Sequence, residues 1–355
     1  MGIAQKQTGA DTFTLGGSLS SNVHGRGLRM KPLISNIESL TLISADGKSI
    51  RCSREENSEL FRLAIGGYGL FGLAETVTLR LVQRQKLRRV VEIIPADDLP
   101  KRFEERIAQK FLYGDFQFSV DEKSPDFLQR GVFSCYEPIS EDEPIVAKKE
   151  LRDADWLQLL RLAYTDREEA FKRYSDYYLS TNGQTYWSDT SQISAYLPNY
   201  ALKIRELIGG EESSLIITEI YVPRSALPDF LKHAADLLRS NRTTVIYGTV
   251  RLIEKDDESF LAWAKQSYAC IIFNLLTFHI PSGIEASARS FRGLIDLAIA
   301  RGGSYYLTYH KFAKPEQVIT CYPQFKEFLE LKRRYDPADR FQSDWYRYYQ
   351  KLFAS

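Results

Sequence analysis

The sequence predicts an α+β fold in which a large antiparallel sheet is backed by helices and joined to a smaller, glycine-rich α+β piece. Three observations carry that reading. The chain has 355 residues, more than one hydrophobic core usually holds, so two domains are the first expectation and one large irregular domain the second. Phe, Tyr and Trp make up 13% of it, and so many rings need a wide, flat surface to pack on. An order of strand, helix, strand, strand occurs twice along the chain, which suggests one sheet made from two related halves. Hydrophobic residues at 44% and charged residues at 26% describe an ordinary globular chain rather than a disordered one. Lys plus Arg (47) against Asp plus Glu (46) leaves a charge of +1, which gives no general drive toward nucleic acid or an anionic membrane.

Residues Ile37 to Ile43 are rich in β-formers, Ala45-Asp46-Gly47-Lys48 supplies a turn, and Ser49 to Cys52 returns as the second arm of a hairpin. Ser53-Arg54-Glu55-Glu56 fits a capping box, Leu60, Phe61 and Ala64 give the stripe of a helix, and Gly66-Gly67 ends it. Ala74 to Val82 then alternates as a strand. The basic stretch Arg80, Arg84, Lys86, Arg88 and Arg89 reads as charge on one strand face. Val91 to Ile94 is a strand, Asp97 caps a helix to about Lys110, and Phe116 to Val120 and Gly131 to Tyr136 return as strands. The unit recurs as strand Leu215 to Val222, helix Ser225 to Leu238, and strands Thr243 to Leu252 and Tyr268 to Phe273. Between the two units, Lys149 to Ile208 reads as helical, with Tyr164, Tyr174, Tyr177, Tyr178, Tyr186, Tyr196 and Tyr200 as packing residues rather than a binding platform. The last stretch reads as helix Ile284 to Ala300, strand Tyr305 to Tyr309, and helix Pro315 to about Arg334, with Pro315 at the first helical position.

The four cysteines, Cys52, Cys135, Cys270 and Cys321, are far apart with no zinc-like spacing, and they read as small buried apolar residues. Met1 to Thr14 is polar and has no signal-peptide core. The longest apolar run, Tyr268 to Ile280, carries Asn274 and His279 and is too short to span a bilayer. A reducing, soluble, cytoplasmic setting without a transmembrane segment is the expectation.

Two glycine-rich segments carry the chemistry. Gly67-Tyr68-Gly69-Leu70-Phe71-Gly72 satisfies G-x-G-x-x-G, but that fingerprint needs a strand before it and a helix after it so that the helix N-terminus faces a pyrophosphate. Here the order is helix, loop, strand. A pyridine-nucleotide dehydrogenase would rest on this misplaced motif alone. The loop still brings bare backbone close to a ligand, or serves only as a tight turn. The segment Thr14 to Gly27 combines glycines, hydroxyls and His24, a set able to line backbone N–H groups around a diphosphate without a lysine. By physics alone it reads either as a cofactor loop or as a structural one.

Together, Leu15-Gly16-Gly17-Ser18-Leu19-Ser20-Ser21-Asn22-Val23-His24-Gly25 and Gly66 to Gly72 resemble the second half of the FAD-binding module of the vanillyl-alcohol-oxidase flavoproteins, the PCMH-type fold. Gly302-Gly303, Cys321-Tyr322-Pro323-Gln324-Phe325, Lys332-Arg333-Arg334-Tyr335-Asp336-Pro337 and Phe341-Gln342-Ser343-Asp344 resemble the closing region of aldonolactone oxidases and decaprenylphosphoryl-ribose oxidases. The resemblance implies a partial PCMH-type module over residues 1–85, a substrate-binding cap domain over 86–303, and a C-terminal segment, 304–355, that returns to the active-site region. It implies noncovalent FAD held by Gly16, Gly17, Ser18, Ser21, Asn22, His24, Gly25, Gly67, Gly69, Leu70 and Gly72. It also implies oxidation of a CH–OH group of a sugar, polyol or aldonolactone.

The sequence departs from the family in three places. The upstream FAD subdomain of the family, with its flavinylated histidine, has no counterpart after Met1, so the alternative is a non-catalytic remnant or a split flavoprotein whose partner supplies that piece. The family's active-site lysine falls on Tyr309 and the histidine before it on Tyr306; Lys311, two residues on, would share a strand face with Tyr309. Arg251 stands where polyol and aldonolactone oxidases place a cationic strand residue near substrate, but the acid that often precedes it by two is Thr249 here. Tyr309, Lys311 and Arg251 are thus the expected catalytic residues.

Overall fold

The computed structural model describes residues 1–4, 13–146, 149–189 and 200–354; Tyr196 lies outside them. In chain order the first part holds β1 (Gly2–Ile3), α1 (Leu15–Ser21), β2 (Ile37–Ile43), β3 (Ser49–Ser53), α2 (Ser58–Ala64), β4 (Leu73–Leu79) and β5 (Leu81–Val82). Strands β3, β2 and β4 form a three-stranded antiparallel sheet in that order, and β1 pairs with β5.

The middle holds β6 (Lys86–Pro95), α3 (Leu99–Ala108), β7 (Tyr113–Phe118) and β8 (Arg130–Pro138), then α4 (Asp153–Thr165), α5 (Arg167–Ser180), β9 (Thr185–Trp187) and α6 (Tyr200–Leu207). The second unit is β10 (Ser213–Pro223), α7 (Leu227–Ser240), β11 (Val245–Ile253) and β12 (Tyr268–Phe278). The chain finishes with α8 (Pro281–Ile299), β13 (Ser304–Tyr305), α9 (Pro315–Cys321), α10 (Phe325–Tyr335) and α11 (Asp344–Leu352).

One antiparallel sheet runs β13-β10-β12-β11-β7-β8-β6-β9. Within each unit the spatial order is first, third, second strand, and the two units meet along β7 and β11. Each first strand leaves the sheet the same way: Pro95 to Pro100 and Pro223 to Pro228 both read P-x-x-x-L-P. In both, a short 3-10 turn precedes a helix with proline in its first turn, where the missing N–H costs nothing. Leu99 and Leu227 are buried beneath these turns.

Alternation along the strands gives the sheet two unlike faces. One carries Ile220, Ile271, Phe273, Val250, Phe116 and Phe133, all buried, and is covered by α3, α7 and α8 through Phe103, Phe230, Leu231, Phe291 and Leu294. The other carries Glu219, Cys270, Arg251, Thr249, Asp115, Gln117 and Ser134, which are buried as well but mostly polar. The α4–α5 hairpin covers part of it. Helices α10 and α11 fold back onto the first part of the chain, where Phe71 meets Phe328 edge-on at 5.2 Å and Tyr68 stacks on Trp345 at 4.2 Å.

Four expectations need correction. Leu15 to Ser21 is a helix rather than a loop: Thr14 Oγ1 accepts the Gly17 amide and the Ser20 hydroxyl donates to Gly16 O, so the hydroxyls serve the helix itself. The Ser53 hydroxyl accepts the Glu55 and Glu56 amides in a local turn, and α2 starts only after Asn57, which is left-handed at φ 48°. The strand at Tyr305 stops there, because Tyr306 N–H donating to Glu219 O is followed by a turn. The last long helix is two, since Pro323 excludes Tyr322 from helical geometry and ends α9 at Cys321. Pro315 does stand in the first turn of α9, and all four cysteines are buried and free. Among the described residues no helix is long and apolar enough to cross a membrane.

Candidate functional site

The polar face of the sheet is a chemical oddity, because charged groups buried without partners are costly. Arg251 sits on β11, two residues before its end, and is 5% exposed. Its Nε and Nη1 find no hydrogen-bond partner among the described residues. The pairing of Val250 with Phe116 places Asp115 across the ladder from Arg251. Asp115 is fully buried; one oxygen accepts from Gln117 Nε2 (2.5 Å) and Thr249 Oγ1 (3.3 Å), with Arg26 Nε at 3.7 Å, and the other oxygen has no partner among the described residues. Along the row of Thr249, two strands over, lies Glu219. Its carboxylate makes a short contact with His24 Nε2, whose other ring nitrogen lies 3.1 Å from Gly25 O. Cys270 Sγ is near this pair, and burial, reinforced by Glu219, pushes its thiol well above the usual range despite Arg251.

Tyr309 reaches the same neighbourhood. Burial raises its phenol far above the usual range, and the Glu219 charge adds to this while Arg251 opposes it. Lys311 does not share a strand face with it; its ammonium lies over the Tyr348 ring and 3.4 Å from Asp344 O. Both residues nevertheless line one groove of about 630 Å³ beside β10 and α8, together with Leu215, Ile217 and Arg292.

The glycine loops come together as a pair. The Gly66 and Tyr68 amides donate to Leu19 O and Ser20 O at 2.9 Å each, and Tyr306 donates its hydroxyl to Ser21 O. Several residues proposed for the cofactor turn out to hold this loop pair. Asn22, left-handed at φ 48°, spans Asp256 Oδ2 and the Ile34 amide and accepts Trp263 Nε1 on its carbonyl. The Gly17 and Ser18 amides are taken by Thr14. Gly67 is a packing glycine, since a Cβ there would lie 1.9 Å from Leu63 O. Gly16 and Gly69 differ: a Cβ on Gly16 would meet nothing within 4 Å, and one on Gly69, at φ 73°, only Ser20 Oγ at 3.9 Å. They leave bare backbone open beside the Ser20 hydroxyl, as a cofactor wall requires. Leu70 is buried, and Gly72 approaches Ile43 O.

Sequence reading missed Glu219, Asp115, Gln117 and Arg26. A signal was present: Asp115 and Glu219 are lone carboxylates in otherwise uncharged strands, placements that demand a partner or a ligand.

The family of D-arabinono-1,4-lactone oxidases matches residues 211–349, the span that contains Glu219, Arg251, Cys270 and Tyr309. Among curated relatives, cytokinin dehydrogenase 4 of Oryza sativa subsp. japonica is 35% identical over 86 residues, 24% of this chain and 16% of the relative. L-galactono-1,4-lactone dehydrogenase 2, mitochondrial, of the same plant is 30% identical over 95 residues, 27% of this chain and 16% of the relative. L-gulonolactone oxidase of Mus musculus is 35% identical over 82 residues, 23% and 19% respectively. The resemblance to FAD-binding, PCMH-type oxidoreductases is borne out. FAD is the cofactor that this kinship brings with it. The matched stretches span about a sixth of the first relatives' own length.

Proposed function

We propose that this chain serves an FAD-dependent oxidation of a CH–OH group in a sugar, polyol or aldonolactone, with residues 1–85 and 304–355 on the cofactor side and 86–303 on the substrate side. The observation that carries the reading is Arg251, buried with two unpartnered N–H groups beside Asp115 and the His24–Glu219 pair, on a sheet face inside the stretch similar to lactone oxidases. FAD, when bound, supplies the hydride acceptor. Gly16, Ser18, Ser21 and Gly69 offer it accessible backbone and hydroxyls, while Gly17, Asn22, His24, Gly25, Gly67, Leu70 and Gly72 fix the loops that present them. Arg251 orients the substrate hydroxyls and stabilises negative charge on oxygen as the proton leaves. Glu219, held by His24, takes that proton. Tyr309 keeps its own proton because of burial, so it donates a hydrogen bond rather than acting as base, and Lys311 contributes positive charge at the groove's rim.

The test is the visible spectrum of the purified chain after addition of FAD and dialysis, then anaerobic addition of an aldonolactone. Retained flavin bands that bleach support the reading; a colourless chain sinks it for this chain alone. One observation favours a second reading, a chain completed by a partner: Leu73, Leu81 and Val82 are exposed along β4, an edge strand, and β5. In that case the bands are retained only when the partner is present.

A further inference from the structure

The fold brings together three donor atoms that no linear spacing announces. His24 lies in the loop after α1, Glu219 on β10 and Cys270 on β12, and each is 1% exposed or less. Tyr221 is paired with Cys270, so Glu219, two residues before Tyr221, is the diagonal neighbour of Cys270 on one face of the sheet. His24, the Glu219 carboxylate and Cys270 Sγ each offer one ligand atom, and these atoms all lie within 4.8 Å of one another.

The hydrogens at this cluster are too few for its lone pairs. His24 Nδ1 lies 3.1 Å from Gly25 O, which only accepts, so Nδ1 carries a hydrogen. In the neutral ring Nε2 then turns a lone pair on the Glu219 carboxylate oxygen that it touches. Two acceptors stand that close only with a proton or a metal ion between them. A shared proton needs no third donor atom, whereas a metal ion does, and Cys270 Sγ supplies it. Bonds of about 2.0–2.3 Å put the ligand atoms of a tetrahedral site about 3.3–3.8 Å apart, a spacing reached by turning the Glu219 carboxylate away from His24. Supporting contacts are in place. Gly25 O orients the imidazole, and Trp263 lies against its ring at 5.1 Å. Arg251, across the ladder from Cys270, keeps two N–H groups without a partner among the described residues.

We propose that His24, Glu219 and Cys270 are the ligands of a divalent ion that accepts nitrogen, oxygen and sulfur together, zinc foremost, and that this ion competes with the substrate's proton for Glu219. Three protein ligands leave a fourth position for water or an anion, to which Arg251 offers its free donors. The sulfur disfavours magnesium and calcium, which take oxygen. When the ion enters, the proton shared by His24 and Glu219 and the proton of the Cys270 thiol both leave to water, and each ligand atom bonds to the ion. No electrons are transferred, and one dication replaces two protons, so the buried cluster keeps its charge. The ion site stands apart from the oxidoreductase reading; the competition rests on it, because only there is Glu219 the proton acceptor.

The experiment takes the full chain purified without added flavin, strips it with a chelator, dialyses it and titrates it with cobalt(II) chloride. The expected result is one ion per chain, with the intense visible bands of tetrahedral cobalt and a thiolate-to-cobalt charge-transfer band in the near ultraviolet, all erased by one equivalent of zinc chloride. Cys270→Ser should remove the charge-transfer band, and Cys321→Ser, at another buried thiol, should retain it. His24→Gln should weaken zinc binding by more than about a hundredfold, beyond the roughly 10–100-fold that loss of a supporting contact costs. Near-ultraviolet circular dichroism checks that each variant is folded. X-ray absorption of the zinc-loaded parent, which needs no variant, should show one sulfur beside nitrogen and oxygen neighbours. Weak octahedral cobalt bands alone, a charge-transfer band that survives Cys270→Ser, or zinc without a sulfur neighbour overturns the site. The chain is then loaded with FAD and given an aldonolactone anaerobically: one equivalent of zinc should stop the bleaching and a chelator should restore it. Bleaching undiminished by bound zinc overturns the competition. A metal-free chain that never bleaches removes the oxidoreductase reading, and the competition with it, and leaves the ion site standing.

Discussion

The two faces of the eight-stranded sheet come from alternate residues of the same strands, yet they answer to different demands. On one face Ile271, Phe273, Val250 and Phe116 meet Phe230, Leu231 and Phe291 with nothing left to satisfy. On the other, Arg251 and Asp115 are buried too and keep atoms without a partner among the described residues. The first face is at a local optimum for folding; the second holds back hydrogen-bonding capacity that water and protein would otherwise consume. That difference teaches where stability and chemistry lie in this chain, and substitutions can test it.

The largest effect is expected on the apolar face. Phe230→Ala removes a fully buried ring and should lower unfolding free energy by about 3–5 kcal/mol. Denaturant unfolding would show it, and flavin affinity of the folded fraction should not change. On the polar face the order reverses. Arg251→Met should cost turnover about 10²–10³-fold, the loss seen when one donor to a developing oxyanion is removed. Its stability should be equal to or above that of the parent, because an incompletely partnered buried cation gives way to an apolar side chain while Arg26 still offsets Asp115. A stability loss comparable to that of Phe230→Ala would break the contrast.

His310 sharpens it through pH. Its imidazole lies against Phe291 at 4.3 Å with Nε2 3.0 Å from Thr218 Oγ1, and burial lowers its pKa from 6.5 to about 3. Between those values the unfolded chain binds a proton that the folded chain refuses. Stability is therefore whole above about pH 6.5 and falls as pH drops, by about 1.4 kcal/mol per unit at most. His310→Gln should keep the bond to Thr218 and flatten the melting-temperature profile between pH 4 and 6.5; an unchanged slope would refute this. The smallest effect is Gly16→Ala. Its methyl meets nothing within 4 Å in this structure, so stability should rise by up to about 1 kcal/mol. FAD affinity, measured by flavin fluorescence, should fall as the bare backbone is covered.

Much of the sheet was readable because period-2 patterning is strong in strands such as Ile37–Ile43, matched end to end, and Leu215 to Val222, found within β10. The doubling of the strand-helix-strand-strand unit was also visible. Elements governed by local competition were not. Ser53 and Thr14 carry the same cap chemistry, yet one hydroxyl closes a free turn and the other starts a helix, a choice made by residues further along the chain. In the site, Arg251 and Tyr309 were found by position in a motif, whereas Asp115 and Glu219 lie 136 and 32 residues from Arg251 and meet it only through strand order. No linear spacing encodes that neighbourhood.

The return of α10 and α11 onto the first part of the chain has a consequence for how the protein is made. Tyr68 stacks on Trp345, Phe71 meets Phe328, Glu59 pairs with Arg334, and Arg340 binds Ala45 O. None of these partners exists while the ribosome is still building the sheet. At typical synthesis rates the glycine loops wait roughly 15–60 s for the segment that seals them, with Tyr68 and Phe71 uncovered throughout. Whatever the folded protein binds there, the nascent chain needs protection first, and its last few dozen residues decide when that need ends.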